Sequence, residues 1–286
     1  MKKLAALLCG LLLGISSSCF ADQYITVLGD RGKVGQVDAF IPYIDGNEDV
    51  FYEKKMNAAI DAAAQKIAKE VGEGTLSYAV GLNRPSLVSI LMVGTRKDGS
   101  RVEQALNLDL TTGEEFTVGD FYVSDENLAA LLPENSQCFF REEGIAYRLG
   151  NSGPYDKLVP YRALATSLRI GEAGRIFKIT RLTGNCAGKE VTLPSDGLFA
   201  LKLEAEPEQS YGWHLANENE LGGQVKKVGS SFAVPNYKEA MDSKVRMLGL
   251  EFIFFAKTTE APLKLKLEYR RGWEKKVEKS FEFIVK

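Results

Sequence analysis

The sequence predicts two domains: an α+β domain with one long helix on an antiparallel sheet, followed by an all-β sandwich. Three observations carry this. Apolar residues recur at three- and four-residue steps over residues 51–71; the last third alternates apolar and polar residues with period two on both sides of a short break; and 286 residues are more than one hydrophobic core usually organises.

The chain opens with Met1-Lys2-Lys3, an apolar run from Leu4 to Ile15, and a mostly small or polar stretch to Ala21. That run is too short to cross a bilayer and has the flanks of a secretory signal, so residues 1–21 are expected to be removed and the protein exported, periplasmic or extracellular. An alternative is a lipoprotein acylated at Cys19, with Ser16 standing where Leu is preferred. Residues 22–168 form the expected α+β domain. Tyr24 to Phe40 shows no clear period, Gly29 to Gly35 reads as a turn, and Ile41 to Asp45 is extended. The helix follows from Phe51 to Val71, with Met56, Ile60, Ala63, Ala64, Ile67 and Val71 on one face and Gly72 and Gly74 stopping it. Strands are expected at Thr75–Gly81, Ser86–Thr95 and Arg101–Leu110, with turns at Lys97–Ser100 and Thr112–Gly113. Ser124 is placed to cap a short helix that Pro133 ends, and Cys138–Leu149 reads as a last hairpin arm. Residues 169–188 form a junction, a glycine-flanked, strand-like Arg175–Leu182 that suits a hairpin of either neighbour.

The sandwich is expected over residues 189–286. Leu198–Ala205, Glu251–Lys257, Leu263–Tyr269 and Phe281–Val285 all alternate as half-buried strands do. Between the last two lies Arg270-Arg271-Gly272-Trp273-Glu274, which sets an indole and two guanidiniums at a hairpin tip. Trp and Arg dominate binding hot spots, so this tip suits a partner; a Trp folded back over the sandwich edge is the alternative. Strands that run up and down alternate ends, so the loops near Gly249 and after Tyr269 share one rim, joined by the loop after Ala205 if that strand runs towards it.

Several chemistries are excluded. The chain has 36 basic and 38 acidic residues and no basic stripe with interleaved aromatics, which argues against nucleic acid as a partner. His214 is the sole histidine and follows Trp213 on an expected strand, so neither a catalytic dyad nor a histidine zinc site is supported. Gly29–Gly35 lacks the phosphate-loop pattern, Asp45–Asp49 lacks the alternating oxygens of a calcium loop, and Glu142-Glu143 suits a solvated strand edge. No enzyme activity, cofactor or metal is expected. Outside the leader two cysteines remain, Cys138 and Cys186, which an exported chain could pair or keep as buried thiols.

EPEQSYGW, residues 206–213, and YRRGWE, residues 269–274, resemble the two signature loops of the chagasin family of cysteine-protease inhibitors, which read NPTTGYxW and YRRPWE. Pro207, Tyr211 and Trp213 keep the spacing of the first; Tyr269, Arg270, Arg271, Trp273 and Glu274 keep that of the last; Gly249 alone stands for the Gly-rich middle loop. The resemblance covers about residues 187–286. It implies an immunoglobulin-like sandwich whose first loop sits over the catalytic cysteine of a papain-like protease while the other two grip the cleft walls. The protease-contacting residues would be Pro207, Glu208, Gln209, Ser210, Tyr211, Leu248, Gly249, Arg271, Gly272 and Trp273. Glu206, Glu208, Gln209, Ser210 and Gly272 depart from the family pattern. A serine in place of glycine at a position of positive φ costs about 1 kcal/mol, and two carboxylates entering a cleft need a positive partner.

The amino-terminal part, about residues 24–168, carries a second resemblance. IPYIDGNED, LDLTTGEEFTVGDFY and FREEGIAYRLGNSGPYDKLVPYRAL are similar to a domain of unknown function found beside peptidoglycan deacetylase modules and in a lysozyme-sensing membrane anti-sigma factor. This implies a protein-binding module at the cell envelope, with lysozyme or another envelope protein as partner. No deacetylase domain accompanies it. The two functions in view are therefore an exported inhibitor of papain-like proteases and a non-inhibitory envelope binding or sensing protein.

Overall fold

The computed structural model describes residues 26–286 apart from 178, 195, 207–209 and 234–248. The expected signal segment and Cys19 therefore lie outside the described residues.

The chain begins with a hairpin, β1 (Thr26–Val34) and β2 (Gln36–Asp45), which turns at Gly35 with φ +61°. This corrects the expectation of a turn over Gly29–Gly35 in a stretch without period. β1 is an edge strand, largely solvent-exposed on both faces, so no alternation marks it. Helix α1 (Val50–Val71) starts where Asp49 accepts a hydrogen bond from the Phe51 N–H at 2.8 Å and ends at Gly72, whose φ of +74° few other residues tolerate. Its buried face is the expected one with Ala68 added.

After the helix come β3 (Glu73–Arg84), β4 (Leu87–Arg96) and β5 (Arg101–Asp109), and the sheet order is β1-β2-β3-β4-β5. The sheet is mixed rather than antiparallel as expected, because β2 and β3 pair in parallel. The reason is the crossover: 22 residues of α1, about 33 Å of helix, carry the chain back along the sheet before β3 begins. Val37, Ile44, Leu76, Val88, Ile90, Met92, Leu106 and Leu108 close the core beneath the helix.

Two short helices follow, α2 (Val118–Phe121) and α3 (Glu126–Leu131). The cap of α3 is Asp125 and not Ser124: its carboxylate accepts from the Leu128 N–H and from the Ser167 hydroxyl, both at 2.8 Å. Where one hairpin arm was expected, β6 (Ser136–Phe140), β7 (Gly144–Leu149) and β8 (Lys157–Pro160) form a three-stranded antiparallel sheet. Helices α4 (Tyr161–Leu164) and α5 (Ile170–Ile176) come next. The strand-like Arg175–Leu182 is thus the end of α5 followed by β9 (Thr180–Thr183), which pairs in parallel with a strand of the sandwich and makes no hairpin. What decides this is packing: Ala173 and Ile176 are buried among Phe116, Phe121, Tyr161 and Phe177.

Arg175 of α5 also reaches β5, with Nη2 2.6 Å from Asp109 Oδ2. Burial works against the Asp109 carboxylate, but hydrogen bonds from Thr111 and Arg175 outweigh it and hold the carboxyl below its ordinary pKa. Such a group contributes stability above its unfolded pKa, near 3.9, and loses that contribution as pH falls through the depressed folded value. Asp109→Asn should therefore lower stability at pH 7 and flatten the acid limb of a stability–pH profile measured by denaturant unfolding. An acid limb identical to that of the parent would contradict this role.

The rest of the chain is β10 (Glu190–Val191), β11 (Leu198–Ala205), β12 (Tyr211–Leu215), β13 (Val225–Ala233), β14 (Gly249–Lys257), β15 (Leu263–Arg271) and β16 (Lys279–Val285). They make two four-stranded sheets, β13-β14-β11-β9 and β10-β16-β15-β12. Phe199, Leu201, Leu203, Ile253 and Phe255 of one sheet meet Trp213, Leu265, Leu267, Tyr269 and Phe283 of the other in a shared core. At the base, Leu198 and Ala256 also join the apolar cluster around Phe140, Tyr161 and Phe177, so hydrophobic packing continues from the sandwich into the preceding body.

Cys138 and Cys186 are free thiols rather than a disulfide, Cys138 against the cluster of Phe140 and Cys186 in the sandwich core. Burial pushes the Cys138 thiol up to about 12, which keeps it protonated at neutral pH. No helix among the described residues is long and apolar enough to cross a membrane.

Candidate protein-binding rim

Strand register decides which loops meet. Ala205 at the end of β11 pairs with Gly249 at the start of β14, and Tyr211 at the start of β12 pairs with Arg271 at the end of β15. The two sheets are tied at this end by the Glu206 N–H, which donates to the Tyr269 hydroxyl at 2.7 Å. Three connections therefore leave one end of the sandwich: residues 206–210, the segment between Ala233 and Gly249, and residues 272–278.

Residues 272–278 form a hairpin tip. The Glu278 N–H donates to the Tyr269 carbonyl at 2.9 Å and the Glu274 N–H to the Arg271 carbonyl at 3.2 Å, closing a compact tip. Trp273 stands on it 72% exposed, so its ring is not folded back over the sandwich edge. Arg271 lies with its guanidinium carbon 4.8 Å from the centre of the Tyr211 ring and pairs with Glu274 at 2.9 Å. Tyr211 in turn stacks on Tyr269 at 5.3 Å between ring centres. An aromatic column thus descends from Arg271 into the core, where Trp213 meets Tyr269 and its indole N–H donates to the Glu204 carbonyl at 2.9 Å.

Beneath the rim sits a buried carboxylate that the sequence did not single out. Glu251, 2% exposed, accepts from the Trp213 N–H at 2.9 Å and lies 3.6 Å from the Lys227 ammonium. Burial raises its pKa, opposed by the Trp213 N–H and the Lys227 charge. It joins the two sheets by a polar contact beside their buried apolar residues. The sequence signal was a carboxylate directly before the apolar run Phe252–Ala256.

Ser210 precedes β12 with φ +60°, the one non-glycine with positive φ among the described residues. The left-handed conformation costs a residue with a Cβ about 1 kcal/mol, and strain of this kind persists where the surroundings over-determine the loop. Ser210→Gly is expected to raise stability by about that amount, as read from the midpoint of urea unfolding. No change, or a loss, would indicate that the Ser210 side chain supports the loop.

Of the candidate contact residues, the structure gathers Ser210, Tyr211, Gly249, Arg271, Gly272 and Trp273 at this end. Pro207, Glu208, Gln209 and Leu248 lie outside the described residues. His214 is half-buried on β12, where burial first and the Arg270 charge second lower its pKa. Glu142 and Glu143 are far along the chain from this rim and are engaged in ion pairs with Arg84 and Arg141 at 2.6 Å each. Among the described residues no group of three or more His, Cys, Asp or Glu is placed to hold a metal ion.

No protein-family model and no curated protein sequence matches the chain. Among solved structures, it is similar to the cysteine protease inhibitor EhICP2 from Entamoeba histolytica, at 18% identity over 37% of this chain and 93% of that one, with a TM-score of 0.31. It is similar to amebosin at 17% identity over 38% of this chain and 97% of that one, with a TM-score of 0.30. It is also similar to a member of the DUF3298 family from Bacteroides fragilis, at 11% identity over 53% of this chain and 96% of that one, with a TM-score of 0.37. These likenesses are partial and remote, and the rim rests on its own geometry.

Proposed function

We propose that the rim is the contact face of an exported inhibitor of papain-like cysteine proteases, carried on an immunoglobulin-like sandwich. The observation that carries this is the exposed Trp273 on a closed hairpin tip, next to Arg271 stacked on Tyr211 and the strained Ser210 at the end of the adjoining loop. A tip closed by backbone hydrogen bonds suits a wedge into an enzyme cleft, since a loop that needs less ordering on binding binds more tightly. The inhibitor contributes no bond-making group. It acts by occupying the space the substrate chain would use, with the 206–210 loop over the protease cysteine and the two flanking loops on the cleft walls.

The test is direct: papain activity is titrated with residues 22–286. A stoichiometric loss of activity is expected, and unchanged activity at micromolar protein removes the proposal. Export is tested by sequencing the amino terminus of the protein recovered outside the cytoplasm, with Asp22 the expected first residue.

A second reading, binding of a basic envelope-active protein such as lysozyme, draws on the other end of the chain. Asp109, Glu114, Glu115, Asp120 and Glu172 line a surface cavity of about 300 Å³ that contains one cation, Arg175. Lysozyme pull-down with residues 22–286 tests it, and absence of retention at low salt removes that partner.

A further inference from the structure

Beyond its two closing backbone hydrogen bonds and the Arg271–Glu274 ion pair, the hairpin tip has little apolar packing to order it. Trp273 is exposed, and a side chain added at Gly272 would touch nothing within 4 Å, so packing does not hold the loop. What surrounds it is polar. Arg270 Nη1 lies 3.3 Å from the Arg271 carbonyl oxygen, 3.3 Å from that of Gly272 and 3.4 Å from that of Glu274. Its Nε is 4.0 Å from the Glu268 carboxylate, which aims the side chain back along β15. Three carbonyl dipoles thus converge with their negative ends on a single guanidinium nitrogen. Without a cation they would repel one another, which would weaken the turn that the Glu274 and Glu278 N–H bonds close.

We infer that Arg270 is the positioning residue of the rim: its guanidinium fills the carbonyl niche of the tip and so presets Trp273 before any partner arrives. The neighbouring arginine has a different task. Arg271 faces Tyr211 and Glu274 on the rim itself and belongs to the contact surface. The division follows from strand geometry, since adjacent residues of β15 point to opposite faces of the sheet. The role given to Arg270 in inhibition rests on the proposed protease contact; its role in ordering the tip does not.

The experiment compares residues 22–286 carrying Arg270→Ala, Arg270→Gln or Arg270→Lys with the parent. Trypsin cleavage after Lys275 and Lys276 reads tip order without involving papain. Loss of the niche cation should speed that cleavage about tenfold in the Ala and Gln variants with the thermal midpoint unchanged, since only the local opening equilibrium moves. The Lys variant places an ammonium with three donors among three carbonyls and should return cleavage close to the parent rate. Against papain, the Ala and Gln variants should bind about tenfold more weakly, mostly through a slower association rate, because fewer molecules hold the tip ready. Trypsin cleavage at the parent rate in both the Ala and Gln variants would overturn the inference. A Lys variant as labile as Ala would overturn it too, because charge in the niche would then not be what orders the tip. A parent that leaves papain untouched, with trypsin cleavage changing as expected, would remove the inhibitor proposal and uphold the ordering role of Arg270.

Discussion

Trp273→Ala will weaken papain inhibition by about 2 kcal/mol or more, roughly thirtyfold in the inhibition constant, if the indole is the hot spot of the rim. The same variant will melt at the parent temperature, because the ring is 72% exposed and contributes little to the core. The combination is diagnostic. An inhibition constant that stays within about twofold would place the binding energy elsewhere on the rim. A drop in melting temperature would mean that the tip supports the sandwich, which the exposure of the ring argues against. The measurement is a tight-binding titration of papain together with a thermal unfolding curve of the same preparation.

The other tryptophan should behave in the opposite way. Trp213→Ala is expected to cost about 3–5 kcal/mol of folding stability, the range for removing a large buried aromatic. Trp213 is 6% exposed, packs against Tyr269 and Phe281 at 5.2 and 5.3 Å between ring centres, and donates its indole N–H to the Glu204 carbonyl. Its removal opens a cavity between the sheets directly beneath the Tyr211–Tyr269 stack and leaves that carbonyl without its donor. Trp213→Phe keeps much of the packing and should lose less, about 1 kcal/mol of it from the missing hydrogen bond. Urea unfolding followed by circular dichroism measures both. Similar stability in the Ala variant and the parent would mean that the inter-sheet core does not depend on this layer. One tryptophan is thus expected to report on binding and the other on folding, although both belong to stretches picked out by their aromatic residues.

Much of the architecture follows local rules and was legible for that reason. The apolar face of α1 repeats with the helical period, and its boundaries at Asp49 and Gly72 are capping chemistry. Strand β11 runs over Leu198–Ala205 as the alternation predicts, and β15 and β16 pair around the expected tip. Other features were hidden. The edge strand β1 has no buried face to imprint a period, and the helix α5 carries a strand-like composition at its end. The sequence could have paired Cys138 with Cys186, but placing them in separate cores is a matter of distance in space. In the site, Trp273 and Arg271 announce themselves by residue type. Arg270 and Glu251 do not, since their roles depend on which carbonyls and which N–H the fold turns towards them.

By itself the sequence determined where helix and strands form in most of the chain, and that an indole and two guanidiniums occupy a hairpin tip. These follow from period, turn residues and composition, which act over a few neighbouring positions. Only the tertiary structure decided that β2 and β3 run in parallel, that both thiols stay apart, and that Ser210, Tyr211 and Arg271 meet at one end of the sandwich. Each of those depends on the register between strands distant along the chain, which is set by burying one apolar face against another rather than by any local run of residues.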